Sequence, residues 1–190
     1  MAGLTMEPAK ELLHSTTTDA HLFQHAIGVS AAMKAMARRF GEDEAYWQAV
    51  GYLHDYDYEQ YPEEHLKHTE EPLRAAGVDE ESIRAILAHG FGLCSDVEPQ
   101  TSMEKSLFTV DELTGLIGAT ARMRPGGLSD LEASSVKKKF KDKKFAAKID
   151  RAVIKQGCEM LGMELGDVIE LCIQGMREQM DALGLGPKEG

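Results

Sequence analysis

Three observations predict an all-α fold. Apolar residues recur at spacings of three and four over residues 19–40 and again over 102–120. Capping residues precede these runs and glycines follow them. No stretch alternates apolar and polar residues as a half-buried strand would. With 190 residues, 43% of them hydrophobic, the chain has the size of one domain and the apolar content for a core. We expect a single helical domain over residues 1–184, with a core at 19–124, a basic segment and closing helices at 125–184, and a polar tail at 185–190.

The elements follow in order. Residues 8–14 read as a short helix, and Ser15, Thr16, Thr17, Thr18 and Asp19 as a cap-rich turn. Leu22, Ala26, Val29, Met33, Met36 and Phe40 form the buried stripe of a long helix that Gly41 ends. His25 lies beside that stripe, with His21 one turn before it. Glu42, Asp43 and Glu44 open the next helix, where the macrodipole favours acids, and its apolar run over 45–53 ends at His54-Asp55.

An acidic, aromatic loop follows, and then a short helix carrying His65 and His68. Asp79 caps a helix over 80–89, which places His89 at its C-terminus before Gly90. On the helix over 102–120, Asp111 falls among Leu107, Val110, Leu113 and Ile117. Pro125, Gly126 and Gly127 break the chain, and Ser129 with Glu132 reads as a capping box. Residues 136–151 hold eight cations against Asp142 and Asp150, a net +6. Two helices, over 146–161 and 165–183, close the domain.

A net charge of -11 and a pI near 5.1 argue against nucleic-acid polymers and anionic membranes as partners, but permit a small anionic substrate drawn to a metal ion. The three cysteines, Cys94, Cys158 and Cys172, are odd in number and in no CxxC pair, as unpaired thiols in a reducing cytoplasm would be. No apolar run approaches the roughly 18 residues of a membrane span, and the N-terminus lacks a signal-peptide layout, so we expect a cytoplasmic location.

Chemistry concentrates at His54-Asp55. Adjacent residues cannot share one side of a regular helix, but at a helix end an imidazole and a carboxylate can converge on one ion. A carboxylate with several imidazoles suits zinc, iron, manganese or nickel rather than calcium. Asp111, on an otherwise apolar face, needs a partner because an unpaired buried carboxylate is costly. His14, His21 and His65 read as surface or internally satisfied histidines.

These residues sit in stretches that resemble the HD superfamily of metal-dependent phosphohydrolases: FQHAIGVSAAM around His25, VGYLHDYDYE around His54-Asp55, and TVDELTGLI around Asp111. The resemblance covers residues 19–124 and implies a compact helical fold in which His25, His54, Asp55 and Asp111 bind a first divalent ion. HLKHTEEPLRAAGV and ESIRAILAHG resemble the positions where two-metal members add histidines, which implies His68 and His89 at a second ion bridged by Asp55. The ions would be Fe, Mn, Ni, Zn or Mg, and the reaction hydrolysis of a small phosphate monoester or diester by a metal-activated water, with His54 and Asp55 at its centre.

One departure matters. Many members continue the motif with an apolar residue, Gly and Lys, whereas this chain has Tyr56, Asp57, Tyr58 and Glu59. A phosphate-binding cation must then come from elsewhere, and Lys137, Lys141 and Lys144 folding back over the site are the candidates, with Tyr58 in the pocket wall. Two alternatives share the ligand set: a di-iron oxygenase acting on a small polar substrate, and a non-catalytic, metal-stabilised binding or regulatory module.

Overall fold

Helices begin where the sequence places side-chain acceptors. Asp19, Asp43, Asp79 and Asp150 each accept from a backbone N–H two or three residues on, and Thr101 with Glu104 forms a full capping box. The structure, a computed structural model, describes residues 3–189. Among them are nine helices: α1 (Met6–Thr16), α2 (Ala20–Phe40), α3 (Glu44–Leu53), α4 (Glu70–Ala75), α5 (Glu80–Ala88), α6 (Ser102–Arg122), α7 (Ala133–Lys141), α8 (Arg151–Leu161) and α9 (Leu165–Arg177). No strand occurs among the described residues, so the all-α expectation holds.

Two 21-residue helices, α2 and α6, run through the middle. α2 packs on α3, α6 and α9, and α6 packs on α5, α7 and α8. Val29, Met33 and Met36 from α2 meet Leu107, Leu113 and Ile117 from α6, and Ile169 and Ile173 from α9, in one continuous core. Each such side chain contributes about 1.5–3 kcal/mol by leaving water. α3 lies directly on α2: a Cβ on Gly51 would stand 3.1 Å from the Ser30 Cα and 2.9 Å from the Met33 Cγ. This close approach sets the end of α3, and with it His54, over the middle of α2.

Several expected boundaries move. No helix carries His65 and His68. A single 3-10 turn, Pro62–Glu64, precedes them, and Leu66 between them has φ 71°, which regular helix cannot accommodate. Ser129 does not cap a helix: its hydroxyl donates to the Gly126 carbonyl, and α7 starts only after Glu132. α8 starts at Arg151 rather than at residue 146, because the Arg151 guanidinium takes up backbone carbonyls that a helix would have used. It donates to those of Lys139, Phe140, Asp142, Phe145, Ala146 and Ile149.

The last helix ends at Arg177, short of the expected boundary at residue 183. Of the polar tail expected at 185–190, Leu185 is buried and its carbonyl accepts from the Leu128 N–H at 2.8 Å, while Gly190 lies outside the described residues. No helix of the described residues is long and apolar enough to cross a membrane.

Candidate metal centre

Three helices deliver one cluster of ligand atoms. His25 comes from α2, His54 and Asp55 from the end of α3, and Asp111 from the middle of α6. His25 Nε2 lies 2.9 Å from Asp111 Oδ1, 3.1 Å from His54 Nε2 and 3.3 Å from Asp55 Oδ2. His54 Nε2 lies 3.1 Å from Asp111 Oδ1 and 3.3 Å from Asp55 Oδ2. All four donors fall within 4.8 Å of one another, around a single point.

A second cluster uses the other oxygen of the same aspartate. Asp55 Oδ1 lies 3.2 Å from His65 Nε2 and 3.5 Å from His89 Nε2, and the two imidazole nitrogens are 3.1 Å apart. Asp55 therefore stands between the clusters, one carboxylate oxygen toward each.

The expectation for His68 gives way here. Its ring is turned outward, stacked on Tyr61 at 3.8 Å and bonded to Glu64 at 2.8 Å, and His65 takes the place beside Asp55 and His89. Asp57, one of the departures from the family motif, makes the choice. It is 1% exposed, accepts from His65 Nδ1 at 2.7 Å and accepts from the His68 backbone N–H at 3.1 Å. One carboxylate thus ties down the turn and aims His65 inward. Glu59 acts elsewhere, accepting from the backbone N–H groups of Thr18 and Asp19 just before α2.

The outer nitrogens of the other imidazoles are also occupied. His54 Nδ1 donates to the Gly51 carbonyl at 2.7 Å, and His89 Nδ1 donates to that of Ile86. With Nδ1–H committed on both His65 and His89, neutral rings would point two Nε2 lone pairs at each other across 3.1 Å. Either a proton or a cation must lie between them, and a divalent metal ion fits this donor set.

Protons hold the place when metal does not. Burial pulls His54 down, but Asp55 and Asp111 overcome it and lift the imidazole to about 9. Burial opposes Asp55 and Asp57 in the same way at His65, again raised to about 9. Burial also opposes Asp111 and Asp55 at His25, which ends well above its usual range. The carboxylates respond in kind: burial pushes Asp55 and Asp111 up, yet the facing imidazoles hold both well below the usual range.

A divalent ion must therefore displace protons, so metal affinity should rise with pH toward 9, with proton release visible by calorimetry in buffers of different ionisation enthalpy. For chelator-treated protein the sign is opposite. Folded-state values near 9, against 6.5 unfolded, stabilise the fold fully below pH 6.5 and cease to do so as pH passes 9. Its thermal midpoint should fall between those pH values; a flat or rising midpoint would contradict this.

The cleft over the clusters has a volume of about 350 Å³. Tyr58, Leu93, Cys94 and Ile149 wall it, and the Tyr58 ring meets His65 edge-on at 5.4 Å. Burial pushes Glu112, beside Asp111, upward; its carboxylate accepts from the Asp150 N–H at 3.0 Å. None of Lys137, Lys141 and Lys144 lines the cleft; Lys137 packs beside Gly166 on α9 instead. The cysteines are unpaired, Cys158 and Cys172 in the core and Cys94 half-buried in the cleft wall.

The HD-domain family model matches residues 22–115, the span that holds both ligand clusters from His25 to Asp111. The chain carries an HD domain. Its family is in general one of metal-dependent hydrolases, and the paired clusters are compatible with that chemistry. No curated protein and no solved structure matches the chain. Within this HD domain, Asp57→Asn should lower metal affinity at the Asp55–His65–His89 cluster by about 10–100-fold, the usual effect of losing an orienting carboxylate, as measured by competition with a chromophoric chelator.

Proposed function

We propose that the domain hydrolyses phosphate esters of a small anionic substrate, using two divalent cations. The observation that carries this reading is the division of Asp55 between two ligand clusters, Oδ2 toward His25, His54 and Asp111, and Oδ1 toward His65 and His89. Bound divalent ions supply Lewis acidity toward a phosphoryl group and acidify water to a pKa of about 7. The chain's own residues fix where that happens. Backbone carbonyls and Asp57 hold His54, His89 and His65 with Nε2 inward, so the ligands need little reorganisation. Leu93 and Ile149 give the cleft an apolar side, and the 350 Å³ volume suits a small substrate rather than a polymer. With no lysine or arginine in the cleft lining, the chain itself offers the phosphoryl oxygens no side-chain cation there.

The test is metal content, visible spectrum and phosphate release measured on protein purified without added metal or chelator. Manganese, nickel, zinc or a colourless ferrous pair, with phosphate released from a panel of monoesters and diesters, is the expected result. Two irons per chain with visible absorption and substrate-dependent oxygen uptake, and no phosphate release, would replace this reading with a di-iron oxygenase.

A further inference from the structure

A second cavity, of about 170 Å³, lies between α2 and α6 and shares His25 and Gly115 with the metal cleft. Asp111, Gly115, Gly118 and Arg122 follow at steps of four, three and four, which places them on one face of α6. That face runs from the metal clusters to a guanidinium, and glycines pave it between. Arg122 folds back along its helix: its Nη1 lies 3.6 Å from where a Cβ on Gly118 would stand.

Two features of this cavity point to an anion. Its lining holds no Asp or Glu, in a chain with 32 acidic residues against 21 basic ones. Arg122 makes no ion pair and no side-chain hydrogen bond with any described residue, unlike Arg74, Arg84, Arg151 and Arg177, and Lys188 Nζ on the Arg122 carbonyl adds a second positive charge nearby. His25 differs from its neighbours in a related way. Nδ1 of His54, His65 and His89 each has a protein acceptor, whereas Nδ1 of His25 has none among the described residues, and this ring borders both cavities. His21 and Gln24 line the same wall, one helical turn along α2.

We propose that this cavity binds a second anionic group of the substrate, with Arg122 as its cation, His21 and Gln24 as further polar contacts, and His25 Nδ1–H donating to the connecting portion. The inference rests on the phosphate-ester reading of the metal centre and narrows it. Seven residues of α6 separate Asp111 from Gly118, and at 1.5 Å per residue the two anionic groups stand about 10 Å apart. The substrate class is therefore an elongated phosphate ester carrying a second phosphate or a carboxylate at its far end.

The test is calorimetric binding of linear α,ω-alkanebisphosphonates of increasing length to the metal-loaded protein, each compared with the alkylmonophosphonate of the same length. Near a span of about 10 Å the bisphosphonate should bind about tenfold more tightly, the effect of one charge-assisted contact, and in Arg122→Gln that advantage should shrink to within about twofold. Because the Arg122 side chain makes no hydrogen bond or ion pair among the described residues, the variant should melt with the wild type, which separates this effect from misfolding. Monophosphonates that bind while no bisphosphonate of any length binds more tightly, or a bisphosphonate advantage that survives Arg122→Gln, overturn the proposal. A parallel series of alkanedicarboxylates against monocarboxylates distinguishes the two readings. Length-dependent, Arg122-dependent binding of dicarboxylates without any phosphonate binding would keep the second subsite and remove the phosphate-ester reading.

Discussion

Asp55→Ala should weaken both halves of the metal centre at once. Each cluster uses one oxygen of this carboxylate, so the substitution leaves His25, His54 and Asp111 on one side and only His65 and His89 on the other. Two neutral imidazoles with no carboxylate hold a divalent ion weakly. Bound metal should therefore fall from two ions per chain to one or fewer, and phosphate-ester hydrolysis by well over the roughly 100-fold that an orienting residue is worth. Metal quantification after gel filtration, paired with phosphate release, reads both. A purely structural network of ion pairs would behave otherwise: Asp55→Ala would lower the melting temperature and leave metal content unchanged. Two ions retained in this variant would sink the shared-carboxylate reading.

The second large effect separates two histidines three residues apart. His65→Ala should remove one ion per chain and most of the hydrolytic activity, because His65 Nε2 is 3.1 Å from His89 Nε2 and 3.2 Å from Asp55 Oδ1. His68→Ala should leave metal content intact, since that ring is exposed and engaged with Glu64 and Tyr61. A differential metal titration of the two variants, run side by side, decides the matter. Loss of the ion in His68→Ala with retention in His65→Ala would restore the assignment that the family resemblance implies.

That pair also marks where the sequence stops being readable. His25, His54 and Asp111 sit on or at the ends of strongly periodic helices, so their facing follows from the apolar stripe around them. His89 ends α5, where a C-cap position presents a ring past the last turn. Residues 60–68 have no such periodicity. There the facing of a side chain depends on a turn at Leu66 and on a carboxylate eight residues away, neither of which leaves a pattern of spacing. Asp57 stands out in the sequence as an oddity of the motif, but only the fold shows it as the partner of His65. The lysines mislead for a similar reason: charge composition locates a basic segment along the chain and says nothing of which way it points.

Arg151 gives that basic segment its direction. Six carbonyls between residues 139 and 149 converge on one guanidinium, so the interior of the loop is already positive and Lys141, Lys143, Lys144 and Lys148 project outward. The segment carries +6 in a chain of -11, which leaves -17 for everything else and makes this loop a locally positive region of an acidic molecule. Ile149, at the end of the same loop, is part of the cleft wall, so one end of the positive segment meets the cleft's edge. On the proposed phosphate-ester reading, an anionic substrate would be drawn toward that edge before it touches any ligand residue. The field decays over about 8 Å at physiological salt, so such guidance would accelerate encounter in dilute buffer and fade as ionic strength rises, acting more on the rate of arrival than on affinity.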